Sequence, residues 1–105
     1  MGIVNLGSDY VVVRSTRVLG NDSLGVIVLR TLFGPVDPRI EPDPDFNQVR
    51  GNVILNNGQS PDPVRAITPG ADIVYDGTGT GNCFAGNVFR TEFPAGITAL
   101  FHCGG

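Results

Sequence analysis

A six-residue pattern recurs three times and limits what this chain can fold into: Thr16-Arg17-Val18-Leu19-Gly20-Asn21, Asn47-Gln48-Val49-Arg50-Gly51-Asn52 and Asn82-Cys83-Phe84-Ala85-Gly86-Asn87. The rule is Asn or Thr, any residue, an apolar residue, any residue, Gly, Asn. A second apolar stretch follows each copy: Leu24-Gly25-Val26-Ile27-Val28-Leu29, Val53-Ile54-Leu55 and Val88-Phe89. Such self-similarity marks chains in which each unit buries its apolar face on the next. Successive Gly-Asn pairs are 31 and 35 residues apart, more than the roughly 20 residues of a minimal coil turn.

Insertions account for the excess. The segment 34–45 holds Pro35, Pro38, Pro42 and Pro44, which cannot donate ladder hydrogen bonds and so belong in a loop. Asn56-Asn57-Gly58-Gln59-Ser60-Pro61-Asp62-Pro63 is turn chemistry of the same kind. Without these loops, each repeat leaves about one turn of a coil. Short β-branched or aromatic runs at Asp9–Arg14, Val26–Leu29, Ala71–Tyr75 and Ile97–Phe101 predict strands. No helical periodicity extends beyond a single turn. Fifteen Gly and eight Pro fit an all-β chain with many tight turns.

A corner between strands favours a residue that tolerates positive φ, and Gly and Asn do so best. Stacked Asn side chains can also hydrogen-bond to the copies above and below. Gly20, Asn21, Gly51, Asn52, Gly86 and Asn87 are therefore the expected stacking corners. The alternative is a set of unrelated β-turns in an antiparallel sandwich.

Cys83 and Cys103 are the only cysteines. A disulfide between them would close a loop contributing roughly 3 kcal/mol and would imply an oxidising compartment. Two buried free thiols are the alternative.

The stretch Asp72-Ile73-Val74-Tyr75-Asp76-Gly77-Thr78-Gly79-Thr80-Gly81-Asn82-Cys83-Phe84-Ala85-Gly86-Asn87-Val88-Phe89, with Thr91-Glu92-Phe93-Pro94 and Cys103 after it, resembles the C-terminal end of bacterial right-handed parallel β-helix repeat proteins, which are pectate-lyase-like in fold. Val18–Val26 and Gly51–Gly58 look like ordinary turns of that family. The resemblance implies an all-β, right-handed parallel β-helix of three to four turns. Residues 1–105 would then be one domain, the C-terminal end of a longer β-helix. It also implies an extracellular or cell-surface setting, although the Met1–Leu6 start lacks the basic and apolar regions of a signal peptide. The family's active site sits on central turns that this chain largely lacks, so no catalytic residue carries over.

Other constellations point weakly. Asp37, Glu41, Asp43 and Asp45 cluster as oxygen donors for Ca²⁺, but EF-hand spacing is missing and a solvated acidic loop explains them better. Asp72 and Asp76 offer a carboxylate pair of the kind glycosidases use; any acidic β protein supplies such pairs. His102 adjoins Cys103, yet strand neighbours point to opposite faces, which disfavours a Cys–His nucleophile. The Gly-x-Gly-x-Gly of residues 77–81 lacks the Lys of a phosphate-binding loop. Tyr10, Tyr75, Phe33, Phe46, Phe84, Phe89, Phe93 and Phe101 could include a sugar-stacking platform, but core packing explains most of them and there is no Trp.

The net charge is −3 and every cation is Arg, which argues against nucleic acid. No apolar run approaches the ~20 residues of a membrane-spanning helix. The expected role is a non-catalytic structural or interaction module; the alternative is a carbohydrate-active remnant that binds or cleaves acidic polysaccharide. Ile3, Val4 and Leu6 form an end without an evident cap, which predicts a homo-oligomer through that end.

Overall fold

Strands form where apolar residues occupy the centre of each short segment, and positive-φ residues end them. The computed structural model describes residues 2–21, 24–30, 43–59 and 70–103. Among these, the strands are β1 (Ile3–Leu6), β2 (Val12–Arg14), β3 (Arg17–Leu19), β4 (Leu24–Leu29), β5 (Gln48–Arg50), β6 (Val53–Leu55), β7 (Ala71–Tyr75), β8 (Cys83–Ala85), β9 (Val88–Phe89) and β10 (Glu92–Phe93). One helical turn, α1 (Ile97–Leu100), follows.

The chain is all-β, and every named strand pair is parallel. The first sheet has the order β1-β4-β7-β10, the second β2-β5-β8 and the third β3-β6-β9. The chain thus visits the three sheets in the same order three times before β10 returns to the first sheet. We call each passage a circuit. Parallel neighbours need a crossover, and here the other two sheets supply it.

Side chains that point inward from all three sheets make one core. Val18, Val26, Val28, Val49, Ile54, Ile73, Tyr75, Phe84 and Ile97 form its buried cluster. Tyr75 sits at its centre, edge-on to Phe101 with ring centroids 4.9 Å apart and tilted on Phe84 at 5.6 Å. Every residue of β4 and β7 is buried. Alternation along these strands places Ile27, Leu29 and Val74 in a second cluster with Leu24 and Ala71.

The expected strand at Ile97–Phe101 is instead a helical turn. Gly96 precedes it at φ 80°, and the Phe101 N–H donates to the Ile97 carbonyl at 3.1 Å. Helical spacing lets Ile97 and Phe101, four apart, both face the core, while Leu100 is 74% exposed. Phe101–Cys103 then runs over β8, with Phe84 bridging to His102 in parallel. Cys83 and Cys103 form a disulfide that fixes this tail.

Candidate functional site

The corners carry most of the buried polar chemistry. At the second-to-third-sheet corner, Asn52 is fully buried. Its Oδ1 accepts from the Thr16 N–H at 2.9 Å, and its Nδ2 donates to the Val13 carbonyl at 2.9 Å and to Asn87 Oδ1 at 3.0 Å. The Asn52 N–H also donates to Asn87 Oδ1 at 3.0 Å. One corner earlier, Asn47 repeats the scheme: it accepts from Val11 N–H at 2.8 Å, and its N–H and Nδ2 both donate to Asn82 Oδ1.

At the third corner the Asn57 Oδ1 accepts from the N–H and Nδ2 of Asn21, and its own N–H and Nδ2 donate to Asp72 Oδ1 at 2.9 and 3.0 Å. Asp72 Oδ2 accepts from the N–H groups of Arg90 and Thr91 at 3.0 and 3.2 Å. A carboxylate only accepts, so Asp72 receives donors from both sides and closes the column. Its place in this column gives it a structural engagement; Asp76 lies elsewhere, accepting from the N–H groups of Arg30 and Thr78.

The six expected corner residues therefore divide between two columns. Gly51 and Asn52 stack on Gly86 and Asn87: the Gly51 N–H donates to the Ala85 carbonyl at 2.9 Å. Gly20 and Asn21 lie one corner further on, above Asn56 and Asn57. The reason is a five-residue unit that repeats along each circuit, so a six-residue window matches more than one corner. Asn47, Asn52 and Asn57, then Asn82 and Asn87, show this spacing directly.

Among the described residues, the most exposed aromatic pair lies where the chain enters the second sheet. Tyr10 and Phe46 stack with centroids 5.2 Å apart and planes 14° from parallel. They are 73% and 46% exposed. Both have positive φ, 56° and 55°, a conformation costing about 1 kcal/mol or more for a residue with a side chain. Gly81 fills the third level of this column, and a Cβ there would come within 2.5 Å of the Phe46 ring. On the same corner the Asp45 N–H donates to Asp9 Oδ1 at 2.9 Å, and the Thr80 N–H to Asp45 Oδ1 at 2.8 Å.

Of the acidic quartet, Asp37 and Glu41 lie outside the described residues. Asp45 belongs to the column just given, and Asp43 pairs with the Arg30 guanidinium at 3.5 Å. Among the described residues no group of three His, Cys, Asp or Glu side chains converges as metal ligands. The Cys103 sulfur is held in the disulfide, which leaves exposed His102 without a thiol beside it. The glycine run packs as a connector: a Cβ at Gly79 would fall 1.6 Å from the Pro44 carbonyl oxygen.

Tyr75 titrates unusually. Burial pushes its phenol above the ordinary value of 10.0, the carboxylates of Asp76, Asp45 and Asp43 push it the same way, and a hydrogen bond from Asn82 opposes them. The folded chain therefore holds this proton more tightly than the unfolded chain. Stability is full below about pH 10 and declines as pH rises past it. Urea midpoints measured from pH 8 to 11 should fall more steeply for the native chain than for Tyr75→Phe; equal slopes would contradict this.

A cavity of about 190 Å³ lies at the far end of the third sheet, between β9 and the tail, with Phe84, Gly86, Asn87, Phe89 and Ala99 among its walls. No described helix is long and apolar enough to cross a membrane. Comparison with known proteins finds no matching family model, no similar curated protein and no similar solved structure.

Proposed function

We propose that the chain is a non-catalytic structural or interaction module, built as a right-handed, pectate-lyase-like parallel β-helix of three to four turns in a cell-surface or secreted protein. One observation carries the reading. The buried polar side chains Asn47, Asn52, Asn57, Asp72 and Asn82 are all engaged with neighbouring circuits or connectors, so their chemistry serves the stacking. Right-handedness rests on the strong preference of crossovers between parallel strands. The secreted setting rests on the disulfide.

Self-association belongs to the same reading. β1, β2 and β3 are the outermost strands of their sheets, and Val4, Leu6, Val12 and Leu19 are exposed there. Unpaired edges of this kind recruit further strands. Gel filtration with light scattering at micromolar concentration should give a mass above the monomer. A clean monomer would remove this element.

The non-catalytic reading is tested by incubating the chain with polygalacturonate or alginate, with and without Ca²⁺. No unsaturated ends and no new reducing ends are expected; either product would overturn it. A second reading, recognition of acidic polysaccharide without cleavage, is favoured by the exposed Tyr10–Phe46 stack. Retardation in gels containing either polymer, abolished by Tyr10→Ala, would support it. Equal mobility in every buffer would eliminate it.

A further inference from the structure

Across the outer face of the second sheet the charge changes sign from one border to the other. Val13, Val49 and Phe84 turn inward to the core, so alternation turns Val12, Arg14, Gln48 and Arg50 outward. The register sets Gln48 beside Val12 and Arg50 beside Arg14, one rung of about 4.8 Å apart. Like charges on adjacent rungs repel. Among the described residues neither arginine meets a carboxylate, and the Arg50 side chain donates to Gln48 Oε1 at 3.3 Å.

The opposite border carries the other sign. Asp9 and Asp45 also lie one level apart, joined by the bond from the Asp45 N–H to Asp9 Oδ1. Neither meets a cation among the described residues. Next to them in the chain stand the exposed, stacked rings of Tyr10 and Phe46. The matching positive-φ column at the arginine border holds only Ser15, Gly51 and Gly86. Large rings kept in that conformation at the surface point to a contact outside the fold. Between the two borders Val12 is exposed.

We infer that this face binds the same face of a second copy, about a two-fold axis that runs along the stacking direction of the circuits and passes over Val12 and Gln48. That rotation exchanges the two borders and keeps each circuit at its own level. Asp9 meets the partner's Arg14, Asp45 meets the partner's Arg50, and both contacts recur at the other border. The partner's Arg14 lies across the Tyr10 ring, a geometry that guanidinium groups favour. Val12 meets the partner's Val12 at the axis. A two-fold interface has to be self-complementary in this sense, residue i on j and j on i. An axis along the strands would set arginine on arginine. A patch three strands wide sits at the small end of specific interfaces, so the dimer depends on its charges and weakens with salt.

Pairing through this face rests on the interaction-module reading and uses a different surface from the open edges of β1, β2 and β3. Sedimentation velocity at low and high salt compares the full chain with Arg14→Glu/Arg50→Glu, with Asp9→Asn/Asp45→Asn and with an equimolar mixture of the two variants. Asn keeps the Oδ1 acceptors of the corner, and unchanged Tm shows that both variants fold. The native chain should dimerise at low salt, about tenfold more weakly at high salt. The Glu variant should be monomeric. The mixture should associate more tightly than either variant alone, because one border regains its Asp–Arg contacts. Gln48→Cys lies in the middle circuit, away from the open edges, and a short bis-maleimide should join it to its partner. A mixture no tighter than its components, or Gln48→Cys that stays unlinked, would overturn the pairing. A salt-insensitive dimer that neither variant alters would overturn it too and leave association through the strand edges standing. A strict monomer at both salts would remove both surfaces and leave the non-catalytic reading intact.

Discussion

Replacing Asn52 with Leu is expected to lower unfolding free energy by about 3–4.5 kcal/mol, at roughly 1–1.5 kcal/mol for each lost bond. Leu keeps the branched heavy-atom skeleton of Asn and leaves no cavity, so the loss reports mainly the missing hydrogen bonds. Three side-chain bonds disappear: the one accepted from Thr16 N–H and those donated to the Val13 carbonyl and Asn87 Oδ1. The Thr16 donor and the Val13 acceptor are left beside an apolar group in a water-poor corner. Domains of this size have a total stability of about 5–15 kcal/mol, so the variant should approach the unfolding threshold. The control is Asn56→Gly. Asn56 is exposed at φ 60° and lies in the same segment, and Gly suits that conformation. Its urea midpoint should stay within about 0.5 kcal/mol of the native chain. Equal losses in the two variants would show that the columns are not what Asn52 contributes.

Opening the disulfide should have an effect of similar size by a different route. Cys83 and Cys103 are 20 residues apart, and releasing a loop of that length costs about 3 kcal/mol in the chain-entropy account. The loss is localised. β9, β10 and α1 lie within the loop, and the tail it anchors brings Ile97 and Phe101 against Tyr75 and Phe84. Cys83→Ser with Cys103→Ser should therefore lower the urea midpoint and raise binding of a hydrophobic dye at the exposed core end. The sheets of the earlier circuits, which hold Asn47 and Asn52, lie outside this loop, so backbone circular dichroism should change little. Unchanged stability would show that β8 holds the tail without the covalent link.

The parallel, repeating character of the chain was legible because it depends on local chemistry that recurs. Val18, Val49 and Phe84 sit at the centre of their motifs and are the buried members of β3, β5 and β8. The register was harder. A window of Asn, x, apolar, x, Gly, Asn spans one side of a circuit plus the start of the next, so Gly20-Asn21 matched Gly51-Asn52 in sequence while stacking on Asn56-Asn57 in space. The five-residue spacing of Asn47, Asn52 and Asn57 was the signal that resolves this.

Other features had no local signature. Tyr10 and Phe46 are 36 residues apart, as Asp9 and Asp45 are, and nothing near either residue announces that they stack. In sequence Asp72 offers half of a carboxylate pair with Asp76, and only the third dimension places it at the end of the Asn57 column. The helical turn at Ile97–Leu100 defeated β-propensity because the i, i+4 pair Ile97 and Phe101 gains more from the core. Tertiary burial outweighs intrinsic preference over so short a segment.

Scalar couplings across hydrogen bonds, between amide nitrogen and carbonyl carbon in the isotope-labelled chain, test the stacking of parallel circuits most directly. Correlations are expected from Gly51 nitrogen to Ala85 carbonyl, from Val53 nitrogen to Thr16 carbonyl and from Val88 nitrogen to Asn52 carbonyl. Reciprocal pairs, in which two residues each donate to the other as antiparallel strands require, would contradict the architecture and everything built on it.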